Sequence, residues 1–323
     1  MRVSWGTRFQ TAEAGIRRLQ QQLTQVQQQL ATGKRLNSLA DDPVAFGSAY
    51  RLRELVDTTE GRLRTLQAMI EESRVVQTHA EALSRVLQEV QTLIAEALDP
   101  KHLDKPAFLA EHLRQRLEDI LGIANAQYHG RYLFSGTRTI FADGRPAFQL
   151  QQASPTSGNL SGLSVEFRGT LAQRRLDLFP GQEEILSLCA DELFGANGTE
   201  LFTVLIEAYN LLAYRSDGSR RQPEESLSVA ERNQVEEFLP RVAAFVREVD
   251  RAIARAGFRQ ARWELLQQQL QEFVTQIRAF HSAIADVDLA RVALELQQTQ
   301  TALQAVLQSS ARVLGLSLFD FLR

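Results

Sequence analysis

The sequence holds a single cysteine, Cys189, so no disulfide can form within the chain and a cysteine-based zinc site is excluded. Cys189 itself reads as a small buried apolar residue. The five histidines (His79, His102, His112, His129, His281) have no metal-ligand spacing to one another, and "AEHLRQ" lacks the second histidine of a zinc-protease helix. No Gly-x-Ser-x-Gly elbow is present. No apolar run approaches the roughly 20 residues of a membrane span, and the N-terminus has no apolar core of a secretory signal. Net charge is only −3 over 323 residues, which gives no general attraction to nucleic acid. Arg17 and Arg18 are not interleaved with aromatics, so they read as a solvated or subunit-facing helix edge. These absences leave no constellation for an enzyme and imply no cofactor, no metal, no nucleic acid and no membrane insertion.

What is present is helical periodicity. Phe9, Ala12, Ile16, Leu19, Leu23, Val26 and Leu30 step by 3 and 4, the seam of a helix packed lengthwise on another. Seven glutamines lie in residues 20–29, an uncharged surface that can face other helices without burying ions. At the other end, Leu266, Leu270, Phe273, Ile277, Phe280, Ile284 and Val287 repeat the pattern. It continues through Val292, Leu296, Thr299, Leu303, Val306, Ser310 and Val313. Neither proline nor glycine occurs between Trp263 and Leu314, which predicts one helix of about fifty residues, about 75 Å long. Beyond the C-terminal seam, Leu316, Leu318 and Phe319 add apolar groups near the terminus, as Trp5 does near the other, which points to contact with a partner.

Between the seams the pattern predicts helices from Pro43 to about Leu98 and from Pro106 to about Gln127, split by "LDPKHLDKP". Short alternating stretches follow: "YLFSG", "RTIFADGRPAFQL" and "LSVEFRGT", with Asp143-Gly144 as a hairpin signal and Pro146 suited to an edge strand. Helical pattern returns at Leu201–Tyr214 and at about Val229–Ala256, where Pro240 is expected to interrupt it. The fold class is therefore mainly α, with long terminal coiled-coil helices and a helical-bundle core carrying a small inserted β-rich domain. The expected division is 1–42 with 286–323 as paired terminal helices, 43–135 with 196–285 as the core, and 136–195 as the insert.

"QQQLATGKRLNSLADDPVAF" contains Gly33-Lys34, but a phosphate loop needs a glycine where Gln28 stands and Ser or Thr where Arg35 stands. The stretch reads instead as a corner. Gly33 suits a left-handed helix C-cap. Lys34 and Arg35 would lie at the negative end of that helix. Asp42 before Pro43 makes an N-cap with proline at the first helical position, and Asp41 adds negative charge there.

That corner also resembles the flagellin superfamily, where a Gly, an Arg, an aliphatic residue, an Asn and an Asp pair link the terminal helix to the first core helix. Gly33, Arg35, Leu36, Asn37, Asp41 and Asp42 occupy those places, and the Asp-Asp-Pro form is closer to the hook–filament junction branch than to filament subunits. "NAQYHGRYLFSGTRT" is similar to that branch's boundary between core and insert, through Tyr128, Gly130, Arg131, Tyr132 and Gly136. "DVDLARVALELQQTQTALQAVLQSSARVLGLSLFDFLR" resembles the closing helix of the superfamily. The segment 136–195 matches no motif of it, and Phe258 and Trp263 are unusual for its core helix.

The resemblance implies a structural subunit of the bacterial flagellum. It would self-associate beside a neighbouring hook-associated protein and flagellin, after type III export aided by a cytoplasmic chaperone on the C-terminal segment. A filament subunit shares most of these features. A cytoplasmic coiled-coil scaffold would explain the two seams alone.

Overall fold

The computed structural model describes residues 5–99, 105–156, 158–179 and 181–321, with backbone only at 5–9, 182 and 312–321. Seven α-helices and six short strands follow one another among these residues. The chain begins with α1 (Trp5–Thr32), α2 (Pro43–Leu98) and α3 (Pro106–Ala124). Six strands follow: β1 (Gln127–Tyr128), β2 (Arg131–Tyr132), β3 (Phe148–Gln152), β4 (Leu163–Phe167), β5 (Arg175–Phe179) and β6 (Gln182–Ile185). The remaining helices are α4 (Ala190–Phe194), α5 (Glu200–Ala213), α6 (Val229–Ala285) and α7 (Leu289–Phe321). The chain forms two compact units, residues 62–268 and residues 1–61 with 269–323.

In residues 62–268 the core is built around α5. Its sequence, "ELFTVLIEAYNLLA", is apolar on nearly every face, and ten of its fourteen residues are buried. Such a helix must be enclosed. Leu83, Leu87, Val90 and Ile94 of α2 and Leu113, Leu117 and Ile120 of α3 cover it in one continuous cluster with Val242, Val249 and Ala252 of α6. Along this unit α2 and α6 run antiparallel, joined by Arg74 to Glu264 at 2.7 Å, Gln77 to Gln260 at 2.7 Å and Ser84 to Asp250 at 2.7 Å.

The strands pair only as three two-stranded antiparallel ladders, β1–β2, β3–β4 and β5–β6. The first two ladders share the helical core. Phe148 of β3 lies 5.1 Å from Phe194 and 5.9 Å from Phe202 between ring centres, and Asn125 closes α3 onto β3 by exchanging two hydrogen bonds with the backbone of Phe148. The β5–β6 hairpin is pinned to the helices by charge. Glu184 accepts from Arg262 and, at 3.1 Å, from the indole N–H of the buried Trp263, while Arg174 pairs with Glu72.

Three expectations are corrected here. Pro240 does not interrupt its helix: α6 runs through it, with the ring on the exposed face, where the carbonyl that loses its partner can face water. Asp143-Gly144 turns the chain, with the Gly144 N–H on the Phe141 carbonyl at 3.3 Å, but it joins no paired strands, and Pro146 lies outside β3. Asp143 instead binds Arg168 at 2.5 Å. The long C-terminal helix is two helices, broken at 286–288 without proline or glycine.

Candidate assembly site

The site is the corner that joins the terminal helix pair to the rest of its unit, and hydrogen bonds rather than loop composition shape it. Gly33 ends α1 at φ +67°, with its N–H on the Gln29 carbonyl at 2.9 Å. The chain then runs antiparallel to the break after α6. The Arg35 N–H donates to the Ala285 carbonyl at 2.8 Å and the Val287 N–H donates to the Gly33 carbonyl at 3.1 Å. Lys34 and Asp286 face each other as a bridge pair, and their side chains form an ion pair. Arg35 sends Nε and Nη2 to the Ile284 carbonyl at 3.1 and 2.7 Å. Both cations therefore serve the end of α6, whereas the sequence had placed them at the end of α1. The last carbonyls of a helix are unpaired and carry its negative pole, whichever helix supplies them.

The acidic residues set the other side. Asp41 accepts the N–H groups of Asn37 and Ser38 at 2.9 and 2.8 Å, which holds its carboxyl below the usual range and folds 37–41 into a tight turn. Asn37 Nδ2 closes the same turn on the Lys34 carbonyl at 3.1 Å. Asp42 caps α2 through the Ala45 N–H at 3.0 Å, and Pro43 takes the first helical position. Asp286, bound by Lys34 and by Ser282 at 2.6 Å, is likewise held low. Asp288 caps α7 through the N–H groups of Ala290 and Arg291 at 3.0 and 3.2 Å. A small apolar cluster of Leu36, Ala49 and Ala285 seals the inside. The periodicity missed this second half of the corner. Its signal is present as Asp286-Val287-Asp288, two short acidic side chains that offer the backbone an alternative to helix.

From the corner, α1 and α7 pack along each other, antiparallel. Ile16, Leu19, Leu23 and Leu30 are half-buried and Val26 is buried; opposite them Val292 is buried and Leu296, Leu303 and Val306 are half-buried. The side chains of Phe9, Val313, Leu316, Leu318 and Phe319 lie outside the described ones. On α6 the seam is shifted from the sequence reading. Leu270, Val274 and Ile277 are buried, whereas Phe273 and Phe280 are 44% and 63% exposed. Two apolar stripes of helical period coexist on that segment, and the smaller residues face inward.

The boundary residues gather at a hairpin. Tyr128 pairs with Arg131 across His129 and Gly130, both at positive φ (48° and 72°), as a mirror-type two-residue turn requires. Tyr132 meets Phe141 edge-on at 5.5 Å. At Gly136, with φ +67°, a Cβ would lie 2.0 Å from the Thr170 carbonyl oxygen, so only glycine fits. Cys189 is buried in α4's N-terminal turn, and burial pushes its thiol up to about 11.

Residues 6–139 match the family model of the bacterial flagellin N-terminal helical region. No curated protein matches the sequence. Among solved structures, the chain is similar to one assigned as a flagellar hook-associated protein from Vibrio parahaemolyticus: 18% identity over 76% of this chain and 100% of that one, TM-score 0.61. It is similar to flagellar hook-associated protein 3 from Legionella pneumophila, with 10% identity over 73% and 98% and TM-score 0.58. It is also similar to FlgL from Xanthomonas campestris, with 12% identity over 72% and 99% and TM-score 0.53.

Proposed function

We propose that this chain is a structural subunit of the bacterial flagellum and joins hook to filament. The observation that carries the reading is a fold shared with hook-associated proteins over 98–100% of their length, with a flagellin match across residues 6–139. The physics of the terminal pair agrees with it. Only Val26 is fully buried along residues 10–32, and only Val292 and Thr299 along 289–311. A helix pair so thinly covered is marginal alone and gains by burying its remaining apolar area against further copies. Its surface between Leu19 and Gly33, and between Leu296 and Ala311, carries no charge, so such packing strands no ion.

On this reading 1–42 and 286–323 form the inner, assembly-dependent layer. Residues 43–135 and 196–285 form the surrounding core, and 136–195 face outward. The corner with Gly33, Arg35, Asn37, Asp41, Asp42 and Pro43 separates inner layer from core. The seams from Phe9 to Leu30 and from Val292 to Phe319 make the lattice contacts, and the hairpin of Tyr128, Gly130, Arg131 and Tyr132 with Gly136 fixes the outward segment. Neighbours are further copies, an adjoining hook-associated protein and flagellin. A cytoplasmic chaperone would hold the C-terminal segment before type III export.

Antibody raised against the chain and applied to isolated flagella tests the assignment by electron microscopy. A single labelled band where hook meets filament is expected. Label along the whole filament would make it a filament subunit, and label confined to the cell body would reject the flagellar assignment.

A further inference from the structure

Of the fifteen exposed large apolar side chains among the described residues, nine lie in the unit formed by 1–61 and 269–323, although it is much the smaller of the two. Within this unit, α2 and α6 border a groove of about 570 Å³. Phe46, Ala49, Val56 and Ala285 line its apolar part, and Tyr50 stands on the rim, 63% exposed. Arg53 and His281 edge it, while Arg278 is held by Glu60 at 2.5 Å.

The same unit carries a ridge with no cover. Phe273 and Phe280 are seven residues apart on α6, about 10 Å at 1.5 Å per residue. The α2 wall of the groove from Phe46 to Val56 spans about 15 Å by the same measure, so the ridge fits within it. The ridge cannot fill its own groove. At 100° per residue, Phe273 and Phe280 point roughly 80–140° round α6 from His281 and Ala285, which face the groove. A ridge and a groove on different faces of one molecule make a head-to-tail contact, and repetition of that contact builds rings or helical arrays rather than closed dimers. Lys34, Asp57 and Glu60 also border the groove, so it carries charges of both signs and the fit rests on shape and apolar contact.

Resting on the assembly reading above, we infer that Phe273 and Phe280 of one copy seat in the groove beside Tyr50 of the next copy. The occupant is thus a second copy of this chain, bound through a helix face laid against the apolar part of the groove. The contact is separate from the terminal seams and holds neighbouring copies at the level of the corner.

The test uses the full chain carrying Tyr50→Cys and Phe280→Cys, assembled in flagella and treated with a short bis-maleimide. Both positions are exposed, so the core is left intact, and the native thiol at Cys189 is buried and unreactive. A ladder of covalent dimers, trimers and larger species is expected, with neither single variant giving one. Two single variants expressed together should give their mixed dimer, which keeps the test decisive if the double variant fails to assemble. Monomer alone in flagella that still show the labelled band would overturn this contact and leave the junction assignment standing. Absence of the band from flagella of the unsubstituted chain would overturn both.

Discussion

Arg35 reaches across the chain with two donors, Nε at 3.1 Å and Nη2 at 2.7 Å, to the carbonyl oxygen of Ile284. One side chain from the loop after α1 thereby caps the end of α6, 249 residues later. Lysine at this place keeps the charge but loses the fork. Arg35→Lys is expected to weaken the corner by about 1 kcal/mol, since the group is partly exposed. Amide exchange at Arg35 and Val287 should then speed by roughly fivefold, while amides of α5 stay unchanged.

Two glycines with nearly the same positive φ should respond differently to alanine. At Gly33 a Cβ meets nothing within 4 Å, so Gly33→Ala carries only the left-handed backbone penalty, about 1–2 kcal/mol. At Gly136 the Cβ would overlap the Thr170 carbonyl, and Gly136→Ala should cost more than about 4 kcal/mol. Thermal unfolding of the two variants side by side checks the order. Equal losses would contradict the geometry.

Trp263 offers an optical reading of the β5–β6 hairpin. Glu184→Ala leaves a buried indole N–H without its acceptor, which costs about 1–3 kcal/mol. Glu184→Gln keeps an acceptor and should lose less. With Trp5→Phe to isolate the signal, emission of Trp263 should shift at lower denaturant in Glu184→Ala than in Glu184→Gln.

The corner should respond to acid. Lys34 holds the Asp286 carboxyl below its ordinary value, and backbone N–H groups do the same for Asp41. A carboxyl depressed in the folded state contributes stability that is whole above its unfolded pKa, about 4, and is lost as pH falls through the folded value. Exchange at Arg35 and Val287, corrected for its intrinsic pH dependence, should be flat between pH 5 and 8 and rise below about pH 4. Asp286→Asn should remove the part of that rise that depends on Lys34.

Much of this was legible in the sequence because the physics was local. The 3–4 steps from Ile16 to Leu30 mark a helix seam by themselves, and Gly33, Asp42 and Pro43 act on their own backbone. The strand over Leu163–Phe167 likewise announces itself by alternation. What stayed hidden depends on partners far along the chain. Arg35 could be assigned to α6 only once Ile284 lay beside it. The break after Ala285 has no proline or glycine, and it persists because Asp286, Val287 and Asp288 each find a partner outside the helix ladder. Phe273 and Phe280 fit the seam period as well as Val274 does, and only packing against α2 decides which stripe turns inward.

The central claim is that the terminal pair is completed by assembly, and hydrogen exchange on the purified, soluble chain tests it directly. Exchange follows local stability, which tracks buried contact. Residues 10–32 and 289–311, with three fully buried side chains between them, should lose protection early, while α5 and residues 76–97 of α2 stay protected. In assembled flagella the same terminal segments should become as protected as α5. Terminal helices already as protected as α5 in the soluble monomer would contradict the account, because the pair would then be complete without further copies.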